Sequence, residues 1–302
     1  MGKSHKSKHT RRSSGASNTG GKSNQWPPSP PASEAARDVI TTSYDPDIGF
    51  AIAVPGCTAT SERPQAVRAD AKVPKPSIAR ANLAVSTEVP EGSAESREER
   101  VRDLTVLQQH VLFWDRDRDG QIYPQHTYTG FRDLGFSVVF SVLAMFIIHA
   151  NFSYPTRLAF SVLPDPLFRV FLGGIHKAKH GSDSGVYDIE GRFVPQKFED
   201  MFSKWDKNDA GSLSARELWD MISSNRLVAD PFGWFAAKFE FGTTWLLLQE
   251  HGRVSKEDLR RTYDGTIFWK IKEAREKGEW HKGYGFRDFV GSVGRKMKVH
   301  KE

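Results

Sequence analysis

Asp115-Arg116-Asp117-Arg118-Asp119-Gly120-Gln121-Ile122-Tyr123 lies between two stretches of helical periodicity, and its spacing decides the fold. Calcium is a hard cation that takes roughly six to eight oxygens in a flexible cage. A loop built for it supplies side-chain oxygens from positions 1, 3 and 5. It places glycine at 6 for the sharp turn, a backbone carbonyl at 7 and an apolar residue at 8 that pairs with a sister loop. Asp115, Asp117, Asp119, Gly120, Gln121 and Ile122 fill those positions in order. Position 12 departs from the pattern, because His126 stands where a bidentate Glu is wanted and imidazole nitrogen suits calcium poorly. The expected metal site is Asp115, Asp117, Asp119, Gln121 and His126, holding Ca2+ more weakly than a complete loop.

Working outward, Val101, Leu104, Leu107, Val111 and Leu112 recur at helical spacing and predict an amphipathic helix running into Asp115. Beyond the loop, Tyr128, Phe131 and Leu134 predict a second helix that merges into an apolar run, Leu134 to Ala150, free of Asp, Glu, Lys and Arg. At 1.5 Å per residue that run reaches about 26 Å, short of a bilayer core of about 30 Å. Tyr154-Pro155 is read as its end. A second apolar stretch, Leu158 to Leu163, leads through Pro164-Asp165-Pro166 to Leu167–Ile175. Two apolar arms separated by prolines suggest a hairpin that enters one leaflet and returns; two buried core helices of a soluble domain are an equal alternative.

The remainder reads as helices joined by short loops. Asp206, Asn208, Gly211, Leu213 and Glu217 reproduce loop positions 1, 3, 6, 8 and 12, with Ala210 in place of the position-5 ligand. Gly191-Arg192-Phe193 and Gly252-Arg253-Val254 keep mainly the turn, and each could equally be an ordinary capped helix start. Ser214 with Glu217, and Ser255 with Asp258, carry the capping pattern. The fold class expected is mainly α, with EF-hand-like helix-loop-helix units, short β pairings and an apolar proline-interrupted membrane hairpin. The divisions are a disordered basic Pro/Ser-rich leader at 1–97, a calcium unit at 98–133, the hairpin at 134–175, a C-terminal helical domain at 176–272 and a basic tail at 273–302.

Charge is unevenly placed along the 302 residues. Residues 1–33 hold Lys3, Lys6, Lys8, Arg11, Arg12 and Lys22 and no acid, which equals the whole formal net charge of +6. The body is therefore neutral, unlike a nucleic-acid-binding domain, whose fold itself is basic. The single cysteine, Cys57, excludes an intramolecular disulfide. No apolar h-region marks a secretory signal, and Lys6 stands where a myristoylation signal wants Ser or Thr.

Two histidine contexts stand out: Leu107-Gln108-Gln109-His110 before the loop, and His176-Lys177-Ala178-Lys179-His180-Gly181-Ser182-Asp183 after the hairpin. His176 and His180 are four apart and would share the face of a helix. From about Lys72 to Lys272 the chain resembles the caleosin family, the plant and fungal peroxygenases. The resemblance rests, in order, on Pro74-Lys75-Pro76, Leu107 to Asp115, Gly120 to Pro124, Gly130 to Phe136, the hairpin, Ile175 to Asp183, Tyr187 to Phe193, Phe232-Gly233-Trp234 and Leu259 to Gly265.

The resemblance implies haem b held at His110 and His180, and oxygen transfer from lipid hydroperoxides to unsaturated fatty acids, or hydroperoxide reduction. If both histidines held iron permanently no place would remain for the peroxide, so one is expected as the proximal ligand and the other as a distal acid–base group or displaceable ligand, with the assignment between His110 and His180 open. The resemblance further implies calcium-modulated activity and residence on lipid droplets and the endoplasmic reticulum membrane, at the cytosolic face. Pro155, Pro164 and Pro166 match the family's tighter proline cluster only loosely. The alternatives are a non-catalytic calcium-binding droplet coat or tether and, more distantly, a soluble adaptor. Oligomeric state is left open, a homo-oligomer included.

Overall fold

The computed structural model describes Ala66 and residues 68–283, together with the backbone of three short N-terminal strands. Strands β1 (Ser43–Asp45), β2 (Phe50–Ile52) and β3 (Gln65–Ala66) pair antiparallel in that order. The rest is mainly helical. Most of the stretch read as leader, and the basic tail beyond Gly283, lie outside the described residues.

The part of that stretch which is described does not behave as a leader. A one-turn helix, α1 (Ala69–Lys72), and the turns after it bury Ala69, Val73, Ala84 and Val85. Backbone and polar side-chain groups far along the chain pin it down. Arg80 bridges Phe193, Thr87 N–H donates to Glu199 at 2.9 Å, and Ser93 and Ser96 donate to Asp264 at 2.9 and 3.2 Å. Composition read the segment as disordered because its partners are not local.

Helix α2 (Val106–Leu112) begins five residues later than the periodicity suggested. Thr105 fixes the start with a reciprocal box: its hydroxyl accepts from Gln108 N–H, and the Gln108 side chain accepts from Thr105 N–H at 2.8 Å. Such a cap contributes about 1 kcal/mol. The loop follows, turning on Gly120 at φ +80, then β4 (Gln121–Ile122) and α3 (Pro124–Asp133).

Helix α4 (Val138–Arg157) overturns the expectation that Pro155 ends the apolar run. Proline forfeits one backbone bond near the helix end, where little ladder remains, and Leu158 N–H still reaches Tyr154 O at 3.2 Å. The helix is therefore 20 residues long, about 30 Å, sufficient by length and composition to cross a membrane. Its burial is inverted. Ser141, Ala144, His149, Ser153 and Thr156 face inward, whereas Val139, Val142, Leu143 and Phe146 are exposed, Val139 by 74%. Helix α4 thus turns small and polar side chains inward and leaves an exposed apolar face.

The second arm is not a helix. Residues 158–169 return as turns into β5 (Val170–Phe171), followed by a 3-10 helix, Leu172–Ala178. His149 fastens this return: its ring meets Thr127 Oγ1 at 2.8 Å and the Phe168 carbonyl at 2.6 Å. Strand β5 pairs with β4, setting Ile122 opposite Val170. The first loop thus takes its partner from within the apolar stretch, where no glycine pattern announced one.

The C-terminal half contains α5 (Pro195–Trp205), β6 (Ser212–Ser214), α6 (Ala215–Ser224), α7 (Pro231–Leu248), β7 (Arg253–Ser255), α8 (Lys256–Tyr263) and α9 (Thr266–Glu276), so the segment read as tail begins inside a helix. Strand β6 pairs with β7, with Leu213 opposite Val254, each at position 8 of its loop. The main core joins Phe113 of the first half to Phe193, Phe198, Leu213, Leu259 and Ile267, all essentially inaccessible. Each such side chain contributes about 1.5–3 kcal/mol by leaving water.

Candidate functional site

The first loop brings Asp115, Asp117 and Asp119 together, with ligand oxygens all within 4.8 Å of one another. Asp115 is buried. One of its oxygens accepts from Gly120 N–H at 3.0 Å, and the other, Oδ1, has no hydrogen-bond partner. Burial, and then the charges of Asp119 and Asp117, push the Asp115 carboxyl above its ordinary range. A dication here would neutralise the clustered charge and take up the unpartnered Asp115 oxygen. His126 Nε2 points at Asp117 Oδ2 from 4.0 Å, so the position-12 side chain faces the carboxylates. The Gln121 side chain donates to Asp119 at 3.1 Å and accepts from Arg169 at 2.7 Å, leaving its carbonyl as the position-7 donor.

The second loop is filled by its own sister. Arg253 reaches across the β6–β7 pair and places its guanidinium 3.5 Å from Asp206 and 3.1 Å from Glu217, the acids at positions 1 and 12. It also donates to Ser212 Oγ at 2.8 Å and to the Ser212 carbonyl at position 7. An internal cation occupies the place of a metal.

The two singled-out histidines lie in the wall of one largely apolar cavity of about 260 Å³. His110 comes from the last turn of α2, and His180 from the loop after the 3-10 helix. His176 belongs to that 3-10 helix while His180 lies beyond its end, so the two do not share an α-helical face, and His176 does not line the cavity. Helices α4, α7 and α9 supply Ile148, Phe152, Phe239 and Phe268 to the wall. Helix α4 thus turns Ile148 and Phe152 to the cavity and Leu143 and Phe146 outward.

His110 Nδ1 is 2.6 Å from the Thr262 carbonyl, which can only accept, so Nδ1 carries the proton and Nε2 keeps its lone pair. Burial lowers the His110 pKa, outweighing the Thr262 contact, and keeps the ring neutral. The close approach depends on Gly265, at φ +72, where a Cβ would strike the Gln109 carbonyl and the His110 backbone. The Phe268 ring meets His110 edge-on at 5.4 Å.

His180 is placed differently. Its Nε2 lies 3.6 Å from Glu240 Oε2, and Nδ1 is buried without a partner. Burial acts to lower its pKa, but Glu240, with Asp183 and Asp230 behind it, wins and raises it. Sequence reasoning missed Glu240. The available signal was a lone carboxylate between Phe239 and Phe241, in a helix whose sole other charged residue is Lys238.

These residues fit a haem on three counts. One imidazole is neutral with its Nε2 lone pair available, a second imidazole has an orphaned nitrogen, and Trp114 Nε1 in the same wall is likewise buried and unpartnered.

A family model described as "Caleosin related protein" matches residues 102–272. The chain is 36% identical over 239 residues to a peroxygenase of Lilium longiflorum, covering 78% of this chain and 96% of that one. It is 38% identical over 172 residues to "Probable peroxygenase 4" of Arabidopsis thaliana, covering 56% and 86% respectively. A "Probable inactive peroxygenase-like protein" of the same plant is 34% identical over 90 residues, 30% of this chain and 44% of that one. No solved structure matches.

Proposed function

The chain belongs to the caleosin family, and from that premise we propose that it is a peroxygenase of the plant type, working on lipid hydroperoxides at a lipid surface. The observation that carries this reading is the pair of inward histidines, His110 and His180, in an apolar cavity walled on one side by helix α4, whose outer face is exposed and apolar. His110 would hold haem iron through Nε2, with Nδ1–H anchored on Thr262. Haem, when bound, supplies the redox chemistry for cleaving a peroxide O–O bond.

In the net reaction the O–O bond of the hydroperoxide breaks, and its terminal oxygen bonds to both carbons of the acceptor double bond. The hydroperoxide leaves as an alcohol. The proton that began on the terminal oxygen must end on the inner one. His180 suits that transfer, with Nδ1 buried, unpartnered and in the cavity wall. The aromatic wall excludes water and holds an acyl chain. With α4 between cavity and exterior, an acyl chain can enter from the lipid side without crossing water. Exposed Val162, Leu163, Leu167 and Phe168 on the return segment extend the surface that would seat in a droplet or endoplasmic reticulum monolayer.

The Asp115 loop is the modulating cation site in this reading. It lies five residues from His110 on one continuous stretch, so filling it would steady α2. His126 at position 12 keeps that coupling weak for calcium.

The test is the visible spectrum of detergent-purified protein supplied with haem. The wild type should show a Soret band, and His110→Ala should lose it. His180→Ala should keep the band while oxygen transfer falls by about 10²–10⁴-fold, the range for a lost general acid–base. A folded wild type with no Soret band would overturn the reading in favour of a non-catalytic droplet coat.

A further inference from the structure

Aromatic rings in contact lead from His110 to the outer surface. Trp114 stands in the cavity wall, its ring 6.3 Å from that of His110. Phe113, fully buried, meets Trp114 edge-on at 5.3 Å and Trp269 edge-on at 5.1 Å. Phe268, the neighbour of Trp269 on α9, lies 5.4 Å from His110 and 4.8 Å from Trp114. Trp269 itself does not line the cavity and is 43% exposed. Gly130 on α3 makes room for the inner indole, since a Cβ there would come within 2.5 Å of the Trp114 ring.

The chemistry of these rings gives the line a direction. Indole is among the side chains most readily oxidised by one electron, whereas phenylalanine resists it. An indole stands at each end, and Phe113 joins them by contact on both sides, a separation over which electrons tunnel readily in proteins. Trp114 Nε1 is buried without a partner, so nothing takes its proton when the ring loses an electron. The oxidised indole therefore stays a strong oxidant and draws the next electron from farther out. At Trp269 water can take the proton. The cavity tyrosines are poorer relays, because a tyrosine gives up its proton with its electron. The Tyr187 hydroxyl donates to the Tyr263 carbonyl at 2.6 Å, and the Tyr263 hydroxyl meets Ser184 Oγ at 2.7 Å; neither partner is a base.

We propose that Trp269 is a second, outer oxidation site, where a phenolic reductant too wide for the cavity gives up electrons that pass through Phe113 and Trp114 to the haem. This rests on the haem peroxygenase reading and adds an activity that needs no double bond in the cavity. The oxidant is the same lipid hydroperoxide. Its O–O bond breaks as it takes two electrons and two protons, leaving as an alcohol and water. Two phenols supply them, each losing one electron and one proton to become a phenoxyl radical.

The experiment uses full-length, detergent-purified, haem-loaded protein, a fatty-acid hydroperoxide, and a phenol tethered to dextran so that it cannot enter the cavity. The wild type should oxidise the tethered phenol. Trp269→Phe should lose that activity and keep both its Soret band and oxygen transfer to an unsaturated fatty acid. Trp219→Phe removes an indole that is 55% exposed and outside the cavity wall, and should behave as wild type. A second readout needs no phenol: after hydroperoxide treatment alone, mass spectrometry should find oxygen added to Trp114 and Trp269. Trp114→Phe should protect Trp269, and Trp269→Phe should concentrate the damage on Trp114.

Tethered-phenol oxidation that survives Trp269→Phe at the wild-type rate would overturn the proposal, as would a wild type that oxidises none. Damage at Trp269 undiminished in haem-loaded Trp114→Phe would overturn the route. Should Trp114→Phe take up no haem, Trp269→Phe and Trp219→Phe decide the matter between them. A wild type without a Soret band sinks the peroxygenase reading itself, whereas the failures at Trp269 leave that reading standing.

Discussion

Arg260→Met probes the clasp that fixes the Thr262 carbonyl opposite His110. Arg260 is 1% exposed and Asp264 2%, and their side chains meet at 3.1 Å. The guanidinium also donates to the Ala84 carbonyl at 2.6 Å and Ser93 Oγ at 2.8 Å, and pairs with Glu257 at 2.7 Å. Methionine fills a similar volume but strands the Asp264 charge and orphans the Ala84 carbonyl. Removing one partner of a buried pair costs about 3–5 kcal/mol. Asp264 retains its bonds from Ser93, Ser96 and Thr266, which places the expected loss near the lower end, about 3 kcal/mol. The Glu257 contact adds little, because that carboxylate is 46% exposed and screened by water. At about 2–4 °C per kcal/mol for a domain of this size, Tm should fall by about 6–12 °C. Thermal melts followed by circular dichroism measure it. Adding Asp264→Asn should recover part of the loss by removing the stranded charge. A single variant melting within about 2 °C of wild type would refute the reasoning, since it would mean that the clasp is hydrated or not formed.

Two further outcomes follow from the metal loop and the return segment. His126→Glu restores two oxygens at position 12 and should tighten calcium by on the order of tenfold to a hundredfold in calorimetry; unchanged affinity would show that His126 does not face the bound ion. Arg169 holds the buried Asp165 carboxyl down to about 2 from its ordinary 3.8. Because the folded pKa is the lower one, this stability, about 2 kcal/mol, is fully present above pH 3.8 and is lost as pH falls through 2. Asp165→Asn should therefore melt lower at neutral pH and show a flatter acid limb; an unchanged acid limb would mean that the pair is not coupled to folding.

Local chemistry was legible in the sequence, and long-range chemistry was not. The turn at Gly120 and the cap at Ser214 depend on neighbours within a turn or two, and each stands where it was expected. Pro155 misled because its cost depends on how much helix lies beyond it, and only two residues do. The 68–97 segment misled because its ordering comes from Phe193, Glu199 and Asp264, all more than a hundred residues away. His110 and His180 were singled out by resemblance. What distinguishes them, a carbonyl on one and a carboxylate on the other, depends on Thr262 and Glu240, which no spacing rule connects to either.

Arg253 makes the two loop pairs unequal in what they can report. A metal-filled loop is a thermometer of its surroundings, since its order rises and falls with the free ion. The β6–β7 pair has its positive charge tethered by covalent bonds at a fixed stoichiometry, and no chelator can withdraw it. An ion bound at the Asp115 loop would therefore act at one end of the described residues, the end whose helix carries His110. The other half, with Arg253 on its acids, would hold Glu240 and Thr262 in place whether or not the first loop is filled.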